Sequence, residues 1–95
     1  MNDALIQKIS VLAEQTRRLA IQAHGEYTPE VEALIHDKCR DPRRIENLLD
    51  GMLDFCFDSN MLCLYKKLCR YYFPIDPDAT ISYVNAYRKI WDETG

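Results

Sequence analysis

Glycine occurs only three times in this 95-residue chain, too rarely for a phosphate-cradling loop or a nucleophile-bearing turn. The two histidines, His24 and His36, are isolated and have no recognisable nucleophile–base set around them. Catalysis is therefore not expected. Paired cysteine knuckles are missing too. Cys56, Cys63 and Cys69 are seven and six residues apart, and His36 with Cys39 is the only close nitrogen–sulfur pair, which argues against zinc. No cofactor and no small-molecule substrate is expected.

Long apolar runs are absent, and none approaches the roughly 20 residues that a bilayer crossing requires. The first residues show no basic segment leading into an apolar core. The expected compartment is the cytoplasm, with no membrane partner, and the four cysteines are expected as reduced thiols. Charge of one sign is not concentrated either. Twelve Lys and Arg are scattered among fifteen Asp and Glu for a net charge of -3, so no phosphate-tracking surface stands out. β-branched residues are sparse and no alternation of period two persists, which excludes a sheet.

What the chain does have is punctuation. Thr28-Pro29, Asp41-Pro42 and Asp76-Pro77 each set a side-chain oxygen before a proline, and each predicts a helix start. The oxygen accepts from an early unpaired N–H, and proline at the first helical position has no N–H to leave unsatisfied. Asp58-Ser59-Asn60 offers a further cap, Phe73-Pro74 a stop, and Gly25 a left-handed helix end. The spacing predicts helices at about 3–24, 29–39, 42–57, 60–72 and 77–93. The expected fold is all-α, a small bundle-like or orthogonal array of four to five helices with no β-sheet, and residues 1–95 form one domain.

Apolar residues recurring every three or four positions mark the inward faces. Val31, Leu34 and Ile35 serve the second predicted helix. Ile45, Leu48, Leu49, Met52, Leu53 and Cys56 serve the third, where Gly51 suits a close helix crossing. Met61, Leu62, Tyr65, Leu68, Cys69 and Tyr72 serve the fourth, and Ile81, Val84, Tyr87, Ile90 and Trp91 the fifth. Nine of the ten aromatics lie beyond Tyr27, which places the expected core in the C-terminal half.

The first predicted helix has more apolar surface than its length needs. Leu5, Ile9, Leu12, Thr16, Leu19 and Ala23 alternate in steps of four and three, flanked by Ile6, Ala13 and Ala20 at steps of seven. Such a seam packs against another helix. At about 22 residues and 1.5 Å per residue this helix reaches roughly 33 Å, long enough to overhang its own domain. The leading expectation is a non-catalytic interaction or regulatory module that pairs through this seam with itself or a protein partner.

Two further candidates come from charge. Glu46, Asp50 and Asp54, four residues apart, form an acidic strip suited to docking a basic surface, with Lys66, Lys67 and Arg70 as a same-chain or neighbouring counterpart. Those three cations interleave with Tyr65, Tyr71 and Tyr72, a mixture that can hold phosphates and stack bases. Lys66, Lys67, Arg70 and Tyr71 therefore form the nucleic-acid alternative. Cys39, between Lys38 and Arg40, is a candidate reactive thiol.

Overall fold

The computed structural model describes residues 3–92. Four α-helices follow in order: α1 (Asp3–His36), α2 (Pro42–Leu53), α3 (Ser59–Tyr72) and α4 (Pro77–Tyr87). A π-helical turn, Arg88–Asp92, extends α4. Among the described residues there is no strand, and the helices pack on one another as a small all-α array.

Three of the expected helix starts form as the sequence dictates. Asp41 and Asp76 stand in extended conformation before Pro42 and Pro77, and their carboxylates accept from Arg43 N and Ala79 N, each at 3.0 Å. Asp58 does the same for Met61 N at 3.0 Å, which starts α3. Each cap satisfies a donor that the helix itself leaves unpaired.

Thr28-Pro29 does not start a helix. The predicted helices 3–24 and 29–39 are one 34-residue rod, with Pro29 inside it and Gly25 in mid-helix. Thr28 Oγ1, instead of accepting from a following N–H, donates to the His24 carbonyl at 2.6 Å. An interior proline costs about 3 kcal/mol because it removes one hydrogen bond and crowds the preceding turn. That cost is offset beyond the proline, where Val31 and Leu34 are fully buried and contribute about 1.5–3 kcal/mol each. The left-handed residue that ends the rod is Lys38, at φ 55°, not Gly25. Cys39 N–H reaches back to the Leu34 carbonyl and Lys38 N–H to that of Ile35, the paired bonds of a Schellman end.

Two other elements depart from the expected bounds. α2 stops at Leu53 instead of 57, because residues 54–57 tighten into turns with Phe55 N–H on the Met52 carbonyl and Cys56 N–H on that of Leu53. The last predicted helix, 77–93, is α-helical only to Tyr87 before the π-turn, and its expected end at 93 lies outside the described residues.

The core forms where the C-terminal third of α1 meets α2 and α3. Val31, Leu34, Ile45, Leu49, Met52, Met61, Leu68 and Tyr72 have no accessible surface. Tyr27 of α1 crosses α2 at Gly51, where a Cβ would lie 2.9 Å from the tyrosine Cζ, so the absent side chain at 51 admits the ring. α4 covers α3 with Thr80, Tyr83 and Tyr87, while Ile81 and Val84 of α4 and Ile90 of the π-turn stay exposed, Val84 at the edge of the α3–α4 groove. Two hydrogen bonds fix that rotation: Tyr65 Oη donates to the Tyr83 carbonyl and Tyr83 Oη to Asp50, both at 2.8 Å. Thr80 tolerates burial because its hydroxyl donates to the Asp76 carbonyl at 2.8 Å.

Candidate interaction surface

α1 is one helix in two environments. At 1.5 Å per residue its 34 residues run about 51 Å, nearly the full 55 Å extent of the molecule. Only its C-terminal half is clamped. Ala20 and Ala23 are buried against the globule, while residues 3–19 project past it, about 25 Å of helix. On this overhang Leu5, Ile6, Ile9, Leu12 and Leu19 are all more than half exposed, Leu12 most at 61%.

The buried and exposed stretches share one face. Stepping back from Leu34 through Val31, Tyr27, Ala23 and Ala20 in threes and fours, the next positions are Thr16, Ala13, Ile9 and Leu5. The core-facing stripe of the clamped half therefore continues without rotation onto the overhang. Thr16 Oγ1 is satisfied within the helix, donating to the Leu12 carbonyl at 2.9 Å, so it adds no free polar demand to the stripe.

The reverse face is mixed, carrying ion pairs beside the exposed side chains of Val11 and Ile21. Glu14 accepts from Arg17 at 2.7 Å and Arg18 at 3.4 Å, and the Arg17 guanidinium holds its carboxyl below the ordinary glutamate range. Where the overhang leaves the globule, Ala13, Thr16 and Arg17 face Phe57, Asp58 and Ser59 across an open notch of about 570 Å³. Phe57 is itself exposed and tilts against Trp91 with ring centres 5.5 Å apart.

Of the seam residues expected to act together, Leu5, Ile9, Leu12, Thr16 and Leu19 lie along the overhang. Ala23 differs: it packs in the protein's own core because the globule begins there. Val11 and Ile21, also exposed, lie off the seam and were missed because only the heptad positions were followed.

The acidic strip is met by tyrosines, not cations. Tyr72 Oη donates to Glu46 and Tyr83 Oη to Asp50. Asp54 follows the end of α2 and is exposed. Burial, and then the nearby carboxylates, push the Tyr72 and Tyr83 hydroxyls above the ordinary tyrosine range. Hydroxyl donors on neighbouring helices were the missed signal, since Glu46 and Tyr72 are 26 residues apart.

Lys66, Lys67 and Arg70 are exposed on α3 and, among the described residues, have no carboxylate within 4.0 Å. Tyr71 does not stand outward with them. It is half-buried and its hydroxyl donates to the Cys39 carbonyl at 2.6 Å, tying α3 to the end of α1. A second apolar groove of about 200 Å³ runs between α3 and α4, lined by Leu62, Tyr65, Cys69, Val84 and Tyr87 with Lys66 and Arg70 among its walls.

All four cysteines are free. Burial pushes the Cys56 thiol up to about 12 and the Cys69 thiol up to about 11, which keeps both protonated and unreactive. Among the described residues no three His, Cys, Asp or Glu side chains come together as a metal site, and no helix is long and apolar enough to cross a membrane.

Comparison with protein-family models, with curated proteins and with solved structures gives no match. The class that fold and surface define is a small all-α array carrying a half-projecting, apolar-striped helix.

Proposed function

We propose that the protein is a small non-catalytic interaction module of the cytoplasm, and that it associates through the apolar stripe on the projecting half of α1. The observation that carries the reading is the exposure of Leu5, Ile9, Leu12 and Leu19 together on one face of a helix with no cover. A contiguous apolar stripe of this kind marks an association surface, and each Leu or Ile covered on association contributes about 1.5–3 kcal/mol before ordering costs. The face opposite the stripe carries the Glu14–Arg17 and Glu14–Arg18 ion pairs, beside isolated Val11 and Ile21.

Nucleic-acid binding through Lys66, Lys67 and Arg70 has less support. The hydroxyl of Tyr71 is committed to the Cys39 carbonyl, which leaves the cations without the stacking ring such a surface uses.

Replacing Leu12 and Leu19 with Asp tests the reading. Both side chains are exposed, so the variant keeps its folded globule while the associated species separates into monomers, and any loss of helical circular dichroism is confined to the uncovered projecting segment. A variant that sediments and melts as the parent does would remove the proposal.

A further inference from the structure

The groove between α3 and α4 joins apolar walls to unpaired positive charge, and it is independent of the α1 stripe. We propose that it docks an acidic amphipathic helix of a partner protein, which seats one large apolar side chain between Tyr65 and Val84 and sets two carboxylates, one turn apart, on Lys66 and Arg70.

The size and lining of the groove select a side chain as its occupant. Tyr65 and Cys69, 2% and 6% exposed, form its floor, and Leu62, Val84 and Tyr87 its walls. The hydroxyl of that floor is taken. Tyr65 Oη donates to the Tyr83 carbonyl and its ring leans on that of Tyr87, with centres 6.3 Å apart. A polar small molecule therefore finds no donor there to orient it, and a nucleobase finds no open ring to stack on. The volume of about 200 Å³ also falls below the roughly 300 Å³ at which small-molecule sites begin. It suits a single leucine or phenylalanine, the kind of anchor that a helix lowers into a groove.

Charge selects the partner. Lys66 and Arg70 stand on one wall four positions apart, one helical turn or about 6 Å along α3. Both are exposed, and among the described residues no carboxylate lies within 4.0 Å of either. α3 contains no Asp or Glu from Ser59 to Tyr72, and in α4 Asp78 is alone, about 120° round the helix from Val84. The acidic strip of α2 is engaged elsewhere. Glu46 is held by Tyr72, which lies about 160° from Arg70 around α3, and Asp50 is held by Tyr83. Arg88, exposed one turn beyond Val84, adds positive charge at the end of the opposite wall. An acidic helix meets these cations with glutamates at the same four-residue spacing while its apolar face covers the groove, whereas a basic one is repelled.

Fluorescence anisotropy with the full chain tests the assignment. The probe is a fluorescein-labelled peptide of about 18 residues in Leu, Ala and Glu, with Leu at every third or fourth position and Glu on both flanks. The expected result is saturable binding that weakens about tenfold or more when Lys66→Glu and Arg70→Glu are combined. Binding returns in that variant when the probe carries Lys in place of Glu, which also shows that the variant is folded. Val84→Arg separates groove from charge. It adds a cation while filling the apolar gap, so docking weakens about tenfold, whereas attraction by charge alone strengthens. Binding of the acidic probe to either variant as tightly as to the parent overturns the proposal, as does no binding up to about 1 mM. A labelled single-stranded oligonucleotide and anionic phospholipid vesicles are titrated alongside, and retention of either without the peptide overturns the acidic helix as the occupant.

Discussion

Two helical glycines show how differently one residue type is used. A Cβ at Gly25 meets nothing within 4 Å, whereas one at Gly51 meets the ring of Tyr27. Gly25→Ala therefore stabilises the protein by about 1 kcal/mol, the ordinary gain for alanine over glycine in a helix. Gly51→Ala displaces the ring and destabilises by about 1–3 kcal/mol, the range of an overpacked core. Urea midpoints of the two single variants, moving in opposite directions, check this. If Gly25 ended a helix in the left-handed region, its replacement by alanine would be destabilising instead. Caps were the most legible features at this scale. Asp41, Asp58 and Asp76 each act on an N–H two or three residues away, so the cause lies wholly within a short stretch of sequence. Lys38 gave no such signal. Its left-handed backbone follows from where α1 must stop to place Cys39 over Leu34.

Among the elements, α1 gives the clearest lesson. Thr28-Pro29 has the same local chemistry as Asp41-Pro42, yet only the second begins a helix. What separates them is the continuous inward stripe on both sides of Pro29, from Ala20 and Ala23 to Val31 and Leu34. Burial at four distant positions outweighs one dipeptide. Pro29→Ala follows from this: restoring the missing hydrogen bond in mid-helix stabilises by about 1–3 kcal/mol, read as a raised thermal midpoint. A proline at a true first position would give no such gain on replacement. The outward apolar face of α4 was equally hidden from periodicity. Ile81 and Val84 fall at helical spacing with Ile90 of the following turn, but the Tyr83 bond to Asp50 and the Tyr65 bond to the Tyr83 carbonyl bring Thr80, Tyr83 and Tyr87 inward and leave these three exposed. The acidic strip on α2 was legible as a set of carboxylates. Its tyrosine partners were not, because they come from helices that only the tertiary fold brings near.

For the whole molecule, the all-α class and the surplus apolar length of the first helix were both readable from spacing, because each is a property of periodicity alone. The tyrosine network that ties α2, α3 and α4 was not, and together with the buried Cys56 and Cys69 thiols it sets the alkaline limit of the fold. Tyr65 and Tyr72 are buried, and burial raises their hydroxyls above the ordinary tyrosine value, as it does for Tyr83. A raised folded-state value contributes stability that is complete below the unfolded value near pH 10 and is lost as pH rises through the folded one. The unfolded chain releases these protons first, so stability falls by about 1.4 kcal/mol per pH unit for each buried tyrosine above about pH 10. Urea unfolding between pH 8 and 12 checks this, with a decline that begins near pH 9, where the unfolded chain releases the Cys56 and Cys69 protons that burial holds in the fold, a steeper decline above about pH 10, and a shallower one there in Tyr72→Phe.

The half-clamped rod also has a consequence in time. A helix segment of some 17 residues without tertiary cover is marginal in water, so in a lone chain the amide protons around Ile9 trade with deuterium through fraying of the free tip. Those around Leu34 must wait until the whole globule opens. A single helix thus spans the slowest and the fastest clocks in the molecule, and a second chain laid along its tip would bring the two rates together.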